Sequence, residues 1–160
     1  MRDAVTAFLQ YLGVERRMSP HTLDAYRRDL EALQHWAQAQ DSSVDALDGE
    51  QMRRFVADEH RRGLSPSSLQ RRLSACRGYY SWQRRHGRLA TDPTAGLKAP
   101  RAPRRLPQVL DADEAVQLVE LPTEGELGRR DRALLELFYS SGLRLSELCS
   151  LTWRDLDFAS

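Results

Sequence analysis

Near the C-terminal end of the sequence, Gly142, Leu143, Arg144, Leu145, Ser146, Glu147 and Leu148 bring together a glycine, an arginine and an acid. An apolar helical run ends at Gly142, and the spacing predicts a further helix starting near Ser146, so Arg144 stands at a fixed corner between the two. A guanidinium there offers a planar fork of donors that matches two phosphate oxygens and stays charged at any working pH. An ordinary surface arginine is the alternative that these residues alone leave open. A second group of cations lies upstream. Arg71, Arg72, Arg77, Arg84 and Arg85 share one helical stretch, and Lys98, Arg101, Arg104 and Arg105 are spread among prolines.

The charge is unevenly distributed. The formal net charge is only +1, yet residues 51–105 hold 14 basic and 3 acidic side chains, against 5 and 9 in residues 1–50 and 5 and 11 in residues 106–160. A block this basic suits a surface that meets phosphates, because each neutralised phosphate releases condensed counterions. Arginine accounts for all of its cations except Lys98. A solvated arginine-rich face, with arginine favoured by codon usage, is the plainer alternative. No apolar run reaches the length of a membrane span, and the N-terminus lacks a signal-peptide core, so a cytoplasmic protein is expected. Cys76 and Cys149 are far apart in apolar-patterned segments, which predicts reduced, buried thiols. His21, His35, His60 and His86 are scattered, and no metal site or cofactor is expected.

The elements that must position these residues are helices. Val5, Phe8, Leu9 and Leu12 have helical spacing, with Gly13 as a candidate stop. Ser19 before Pro20 is a serine N-cap with proline at the first helical position, and Leu23, Tyr26, Leu30, Leu33 and Ala37 continue that helix to about Gln40. Asp48 and Gln51 have capping-box spacing ahead of Met52, Phe55 and Val56, and Gly63 ends that third helix. Ser65 and Pro66 start a fourth, with Leu69, Leu73, Cys76 and Tyr80 inward and the arginines on its other faces. Four such helices on short loops make a bundle of about 85 residues.

From 89 to 107 the pattern changes. Pro93, Gly96, Pro100, Pro103 and Pro107 break any helix, and the segment reads as an extended basic spacer between domains. Leu110, Asp111 and Glu114 then announce a fifth helix, and a sixth is expected from about Arg130 to Gly142 after a loop containing Pro122, Gly125 and Gly128. Leu151, Trp153, Leu156 and Phe158 alternate as a strand would. A domain of about 55 residues with one unpaired strand reads as cut off.

Taken jointly, Val14-Glu15-Arg16, Ser19, Thr22, Tyr26, Leu30, Leu69, Leu73-Ser74-Ala75, Gly96 to Pro100, Arg105-Leu106-Pro107, Arg130 to Ala133 and Gly142 to Leu148 carry a resemblance across essentially the whole chain. Their order resembles the bacterial Xer-type tyrosine recombinases, in the XerC-like branch. The resemblance implies a mainly α chain: a four-helix SAM-like core-binding bundle over 1–88, a basic Pro-rich linker over 89–107, and over 108–160 the truncated helical start of a catalytic domain. It implies a clamp around double-stranded DNA, strand cleavage by a tyrosine nucleophile without ATP or an obligatory metal, and a XerD-like recombinase as partner in resolving chromosome dimers.

The chemistry accounts for the arginine. In-line attack on a phosphodiester spreads negative charge over the non-bridging oxygens, which positioned guanidinium donors stabilise. By the resemblance Arg144 is the first of the family's two catalytic arginines, and Glu147 is the acid that supports it; a helix-dipole acid is the alternative for Glu147. The family's lysine, His-x-x-Arg pair, later histidine and nucleophilic tyrosine have no counterpart in the 160 residues. Tyr11, Tyr26, Tyr79, Tyr80 and Tyr139 all fall on predicted helices, where packing explains them. The expectation is a chain that binds DNA without cleaving it. A phage or transposon integrase, which commonly adds an arm-binding domain ahead of the bundle, and a non-catalytic DNA-binding module are the alternatives.

Overall fold

The computed structural model describes residues 4–99, 109–121 and 125–156. The chain divides into two compact units, residues 1–104 and 105–160. All regular structure among the described residues is helical: α1 (Ala4–Val14), α2 (Pro20–Gln38), α3 (Gly49–Arg61), α4 (Pro66–Arg85), α5 (Ala112–Glu120), α6 (Gly125–Ser141) and α7 (Leu145–Ser150).

The caps fall where the side chains can make them. Ser19 Oγ accepts from the Thr22 amide at 3.2 Å and Ser65 Oγ from the Ser68 amide at 3.3 Å, satisfying donors that α2 and α4 would otherwise leave open. At α3 the Gln51 amide donates to Asp48 Oδ1 at 2.8 Å while the Asp48 amide donates to Gln51 Oε1 at 2.9 Å, a reciprocal box repeated by Asp111 and Glu114 at α5. Gly63, at φ +87°, ends α3 by turning the chain so that its own amide and that of Leu64 return to the His60 and Glu59 carbonyls. Gly13, expected as a stop, lies inside α1. A Cβ there would stand 3.2 Å from Leu23 Cδ1, so the missing side chain serves close packing of α1 on α2.

The apolar stripes of α1 to α4 converge on one core. Phe8, Leu30, Leu33, Met52, Phe55, Leu73, Cys76, Tyr79 and Tyr80 are all buried. Phe8 meets Tyr79 edge-on at 5.6 Å between ring centroids, and Phe55 meets Trp36 likewise at 5.7 Å. Several polar tips inside this core are satisfied, whereas the buried Trp82 Nε1 and Gln83 Oε1 have no hydrogen-bond partner among the described residues. Tyr80 Oη donates to the Val44 carbonyl at 2.8 Å, and Trp36 Nε1 donates to Asp58 Oδ2 at 2.9 Å.

The expected spacer begins as part of the bundle. Leu97 belongs to the core, Leu89 and Ala99 pack against it, and Pro93 and Thr94 are buried. Asp92 organises this segment: the Thr94 amide donates to its carboxylate at 2.8 Å and the Ala95 amide to its carbonyl at 3.1 Å. Proline and glycine exclude helix here, but Leu89 and Leu97 supply apolar anchors that the proline count conceals. Arg101, Arg104 and Arg105 lie outside the described residues.

In the second unit α5 packs along α6. The sixth helix starts at Gly125 rather than near Arg130, so Gly128 is a buried helical residue and not part of a loop. Gly142, at φ +64°, ends it as expected, its amide reaching the Phe138 carbonyl at 3.0 Å. The alternating segment is not a strand where it is described. Trp153–Asp155 is a 3-10 turn, because Asp155 Oδ2 accepts from both the amide and the hydroxyl of Thr152 at 2.8 Å. Phe158 lies outside the described residues. Of the two cysteines, Cys76 is buried as expected, its thiol pushed up to about 12 by desolvation, whereas Cys149 is exposed.

Candidate nucleic-acid interface

In the first unit the arginines of α4 divide into two kinds. Arg72 turns inward: its Nε donates to Asp29 Oδ1 at 3.2 Å, its Nη1 pairs with Glu59, and only 13% of its side chain is exposed. Arg71 also pairs with Asp29 and donates from Nη1 to the Ala25 carbonyl at 3.2 Å, but 42% of its side chain remains in solvent. Glu59 in turn pairs with Arg62 at 3.1 Å. The five charges form a chain, Arg71–Asp29–Arg72–Glu59–Arg62, tying α2, α3 and α4 together. Burial pushes the Asp29 carboxyl above the usual aspartate range, and Arg72 and Arg71 pull it back only in part.

The remaining cations take other positions. Arg77 is exposed but bonded through its guanidinium to the Leu97 carbonyl. Arg84 and Arg85 are exposed in the last turn of α4, where cations complement the helix dipole, and Arg85 lies 5.9 Å from the Tyr11 ring centroid. Arg88, past the helix end, stacks on Trp82 at 4.8 Å. Lys98 is exposed beside two grooves, one lined by Arg53, Val56, His60 and Leu97 and the other by Gln70, Ser74 and Arg77.

Sequence reasoning missed the acids of this network. Asp29 and Glu59 are among the few charged residues buried in the fold. Asp29 carried a signal: three residues after Tyr26 and four before Leu33, it occupies the apolar stripe of α2. A carboxylate there demands a cation from a neighbouring helix.

In the second unit Arg144 occupies the N-cap position of α7 with extended backbone. Glu147 holds it twice, its Oε2 accepting from the Arg144 amide at 2.7 Å and its Oε1 from Nη1 at 2.9 Å. These bonds, the amide first, keep the Glu147 carboxyl below the ordinary glutamate range, so it is a fixed negative anchor at neutral pH. The Arg144 side chain is 83% exposed, which leaves its other donors facing solvent. Among the described residues no cluster of three or more His, Cys, Asp or Glu could hold a metal ion, and no helix is long and apolar enough to cross a membrane.

The bundle and the unit around Arg144 correspond to two known sequence families. Residues 5–87 match the phage integrase N-terminal SAM-like domain, and residues 108–160 match the phage integrase family. The chain belongs to the tyrosine recombinases of the phage integrase family. Among similar proteins, the recombinase chain is 70% identical over 159 residues to tyrosine recombinase XerC of Xanthomonas campestris pv. campestris strain B100, covering 99% of the chain and 49% of the relative. It is 61% identical over 158 residues to XerC of Xylella fastidiosa strain M23, covering 98% and 54%, and 52% identical over 160 residues to XerC of Pseudomonas aeruginosa strain LESB58, covering 98% and 53%. The recombinase chain thus spans about half the length of the curated relatives it matches.

Proposed function

We propose that this chain is the DNA-gripping half of a XerC-like site-specific recombinase. The bundle binds duplex DNA at a recombination core site, and Arg144 contacts the phosphate at which a strand is cut, where its donors stabilise charge building on the non-bridging oxygens. Glu147 positions Arg144 by fixing both its backbone and one edge of its guanidinium. The observation that supports this most is the Arg144–Glu147 pair, bonded at 2.9 Å with the rest of the guanidinium open. The basic excess of residues 51–105 supports the DNA half of the reading.

Cleavage takes a nucleophile that these 160 residues do not supply. Tyr79 and Tyr80 are enclosed in the bundle, and Tyr139, although 60% exposed, matches no nucleophile motif. The whole recombinase works in the cytoplasm with a XerD-like partner, resolving chromosome dimers, and requires no cofactor for the phosphoryl transfer.

Incubating the chain with a suicide duplex containing a Xer core site tests both halves of the proposal. The expected result is a band shift that weakens steeply as salt rises, with no covalent protein–DNA adduct. An adduct abolished by Tyr139→Phe would overturn the absence of cleavage. Absent or salt-insensitive binding would overturn the DNA assignment.

A further inference from the structure

The buried charge chain between α2, α3 and α4 needs a reason. Withdrawing carboxylates and guanidiniums from water is costly, and well-packed apolar side chains in the same space are often at least as stable. Asp29 is 0% exposed and lies on a stripe that apolar residues otherwise fill. The two arginines it accepts from are neighbours in sequence yet end in different environments. Arg72 spends its Nε on Asp29 and its Nη1 on Glu59, so its fork is consumed within the protein. Arg71 places both of its internal bonds, to Asp29 and to the Ala25 carbonyl, on Nη1 alone.

That difference fixes what each can do. With Nη1 pinned from below, the Nε–Nη2 edge of Arg71 lies outside those bonds, on a side chain 42% exposed. This edge is one of the two forks through which arginine takes a phosphate bidentately. Pinning one nitrogen also removes rotamer freedom before any ligand arrives, which lowers the cost of binding. We infer that Asp29 is a positioning residue that holds Arg71 so that its Nε–Nη2 edge takes a backbone phosphate of the bound DNA. Arg72 and Glu59 serve as the structural counterweight that keeps Asp29 charged and in place. This inference rests on the DNA-binding reading above.

Simple electrostatics and the inference predict opposite signs for one substitution. Asp29→Asn removes a negative charge close to the basic face, so charge counting predicts tighter DNA binding with an unchanged salt dependence. Release of Arg71 predicts weaker binding and a shallower dependence. Affinity of the 160-residue chain for a labelled duplex would be measured by fluorescence anisotropy over a salt series, with circular dichroism confirming that each variant is folded. Arg71→Gln is expected to weaken binding by roughly tenfold and to reduce the slope of log K against log salt by about 0.9, the loss of one phosphate contact. Asp29→Asn is expected to move in the same direction, and the double variant to be no weaker than Arg71→Gln alone. Arg71→Lys keeps the charge and leaves Asp29 paired but loses the fork; it should bind several-fold more weakly with the slope retained, and it carries the test if Asp29→Asn does not fold.

Tighter or unchanged binding by folded Asp29→Asn, or wild-type binding by Arg71→Gln or Arg71→Lys, would overturn the inference while leaving the DNA-binding reading intact. No binding by the unsubstituted chain would instead overturn the reading on which it rests.

Discussion

The two units of this chain treat apolar and charged side chains in opposite ways. The bundle encloses its large apolar residues and draws Asp29, Arg72 and Glu59 inside with them. In the second unit only Gly128 and Leu148 are buried among the described residues, Leu110, Leu121, Leu127, Leu145 and Trp153 are exposed, and Arg144 and Glu147 pair at the surface. The contrast separates folding from chemistry. A closed core gives the bundle stability of its own, whereas the Arg144–Glu147 pair of the second unit is held mainly by a cap and a turn.

The largest effect expected from breaking this contrast is in the bundle core. Phe55 is 1% exposed and packs on Trp36, so Phe55→Ala should cost about 3–5 kcal/mol of unfolding free energy through lost transfer and a residual cavity. Leu134 of α6 is 39% exposed, and Leu134→Ala should cost only about 1–2 kcal/mol because over a third of its surface is already wet. Urea unfolding followed by circular dichroism measures both. Equal costs would mean that the second unit has a core of its own.

A somewhat smaller separation is expected between the two kinds of arginine. Removing Arg72 leaves Asp29 and Glu59 buried with one cation fewer each, and Arg72→Ala should destabilise the bundle by about 3 kcal/mol. Arg144→Ala should leave stability within about 0.5 kcal/mol, since its side chain is 83% exposed. Its effect should appear instead as lost strand cleavage when the chain is part of the complete recombinase. Thermal melts of both variants, with a cleavage assay on the second, would sharpen the division; a destabilised Arg144→Ala would erase it.

The same contrast governs how much the sequence disclosed. Helix starts were legible because each depends on a few adjacent residues: Ser19 with Pro20, Asp48 with Gln51, Ser65 with Pro66, and Asp111 with Glu114 all cap as their spacing requires. The Arg144–Glu147 pair, although local to one turn, was implied by the family resemblance and not by spacing. What stayed hidden depended on partners distant in sequence. Asp29 finds its cations about forty residues away on α4, and Leu97 joins a core built from helices that precede it. Gly13 read as a stop because its use, admitting Leu23, lies on another helix. The turn at Trp153 escaped notice for a different reason: Asp155 captures the Thr152 amide and overrides an apolar alternation too short to decide between strand and turn.

The smallest expected effect is in pH, and its sign differs among the acids. Asp58 accepts from Trp36 Nε1 and from Arg61, bonds that hold its carboxyl below the ordinary aspartate value of 3.8. A folded value below the unfolded one means that the contribution of Asp58 is complete above that range and is lost as pH falls through the lowered folded value. Asp29 runs the other way, because burial raises it: its contribution is complete below the ordinary value and declines as pH rises through the raised one. In the second unit Glu147, lowered by the Arg144 amide and guanidinium, shares the sign of Asp58 but is exposed to solvent, so its effect is screened. Acid titration followed by tryptophan fluorescence should therefore show loss of stability below the ordinary aspartate range, and Asp58→Asn should flatten it. Glu147→Gln should leave that transition unchanged, since its carboxylate anchors a surface arginine and not the bundle. If the two substitutions flattened the transition equally, the acid sensitivity would not belong to the bundle, and the division between a self-supporting bundle and a surface-held ion pair would fail at its most sensitive point.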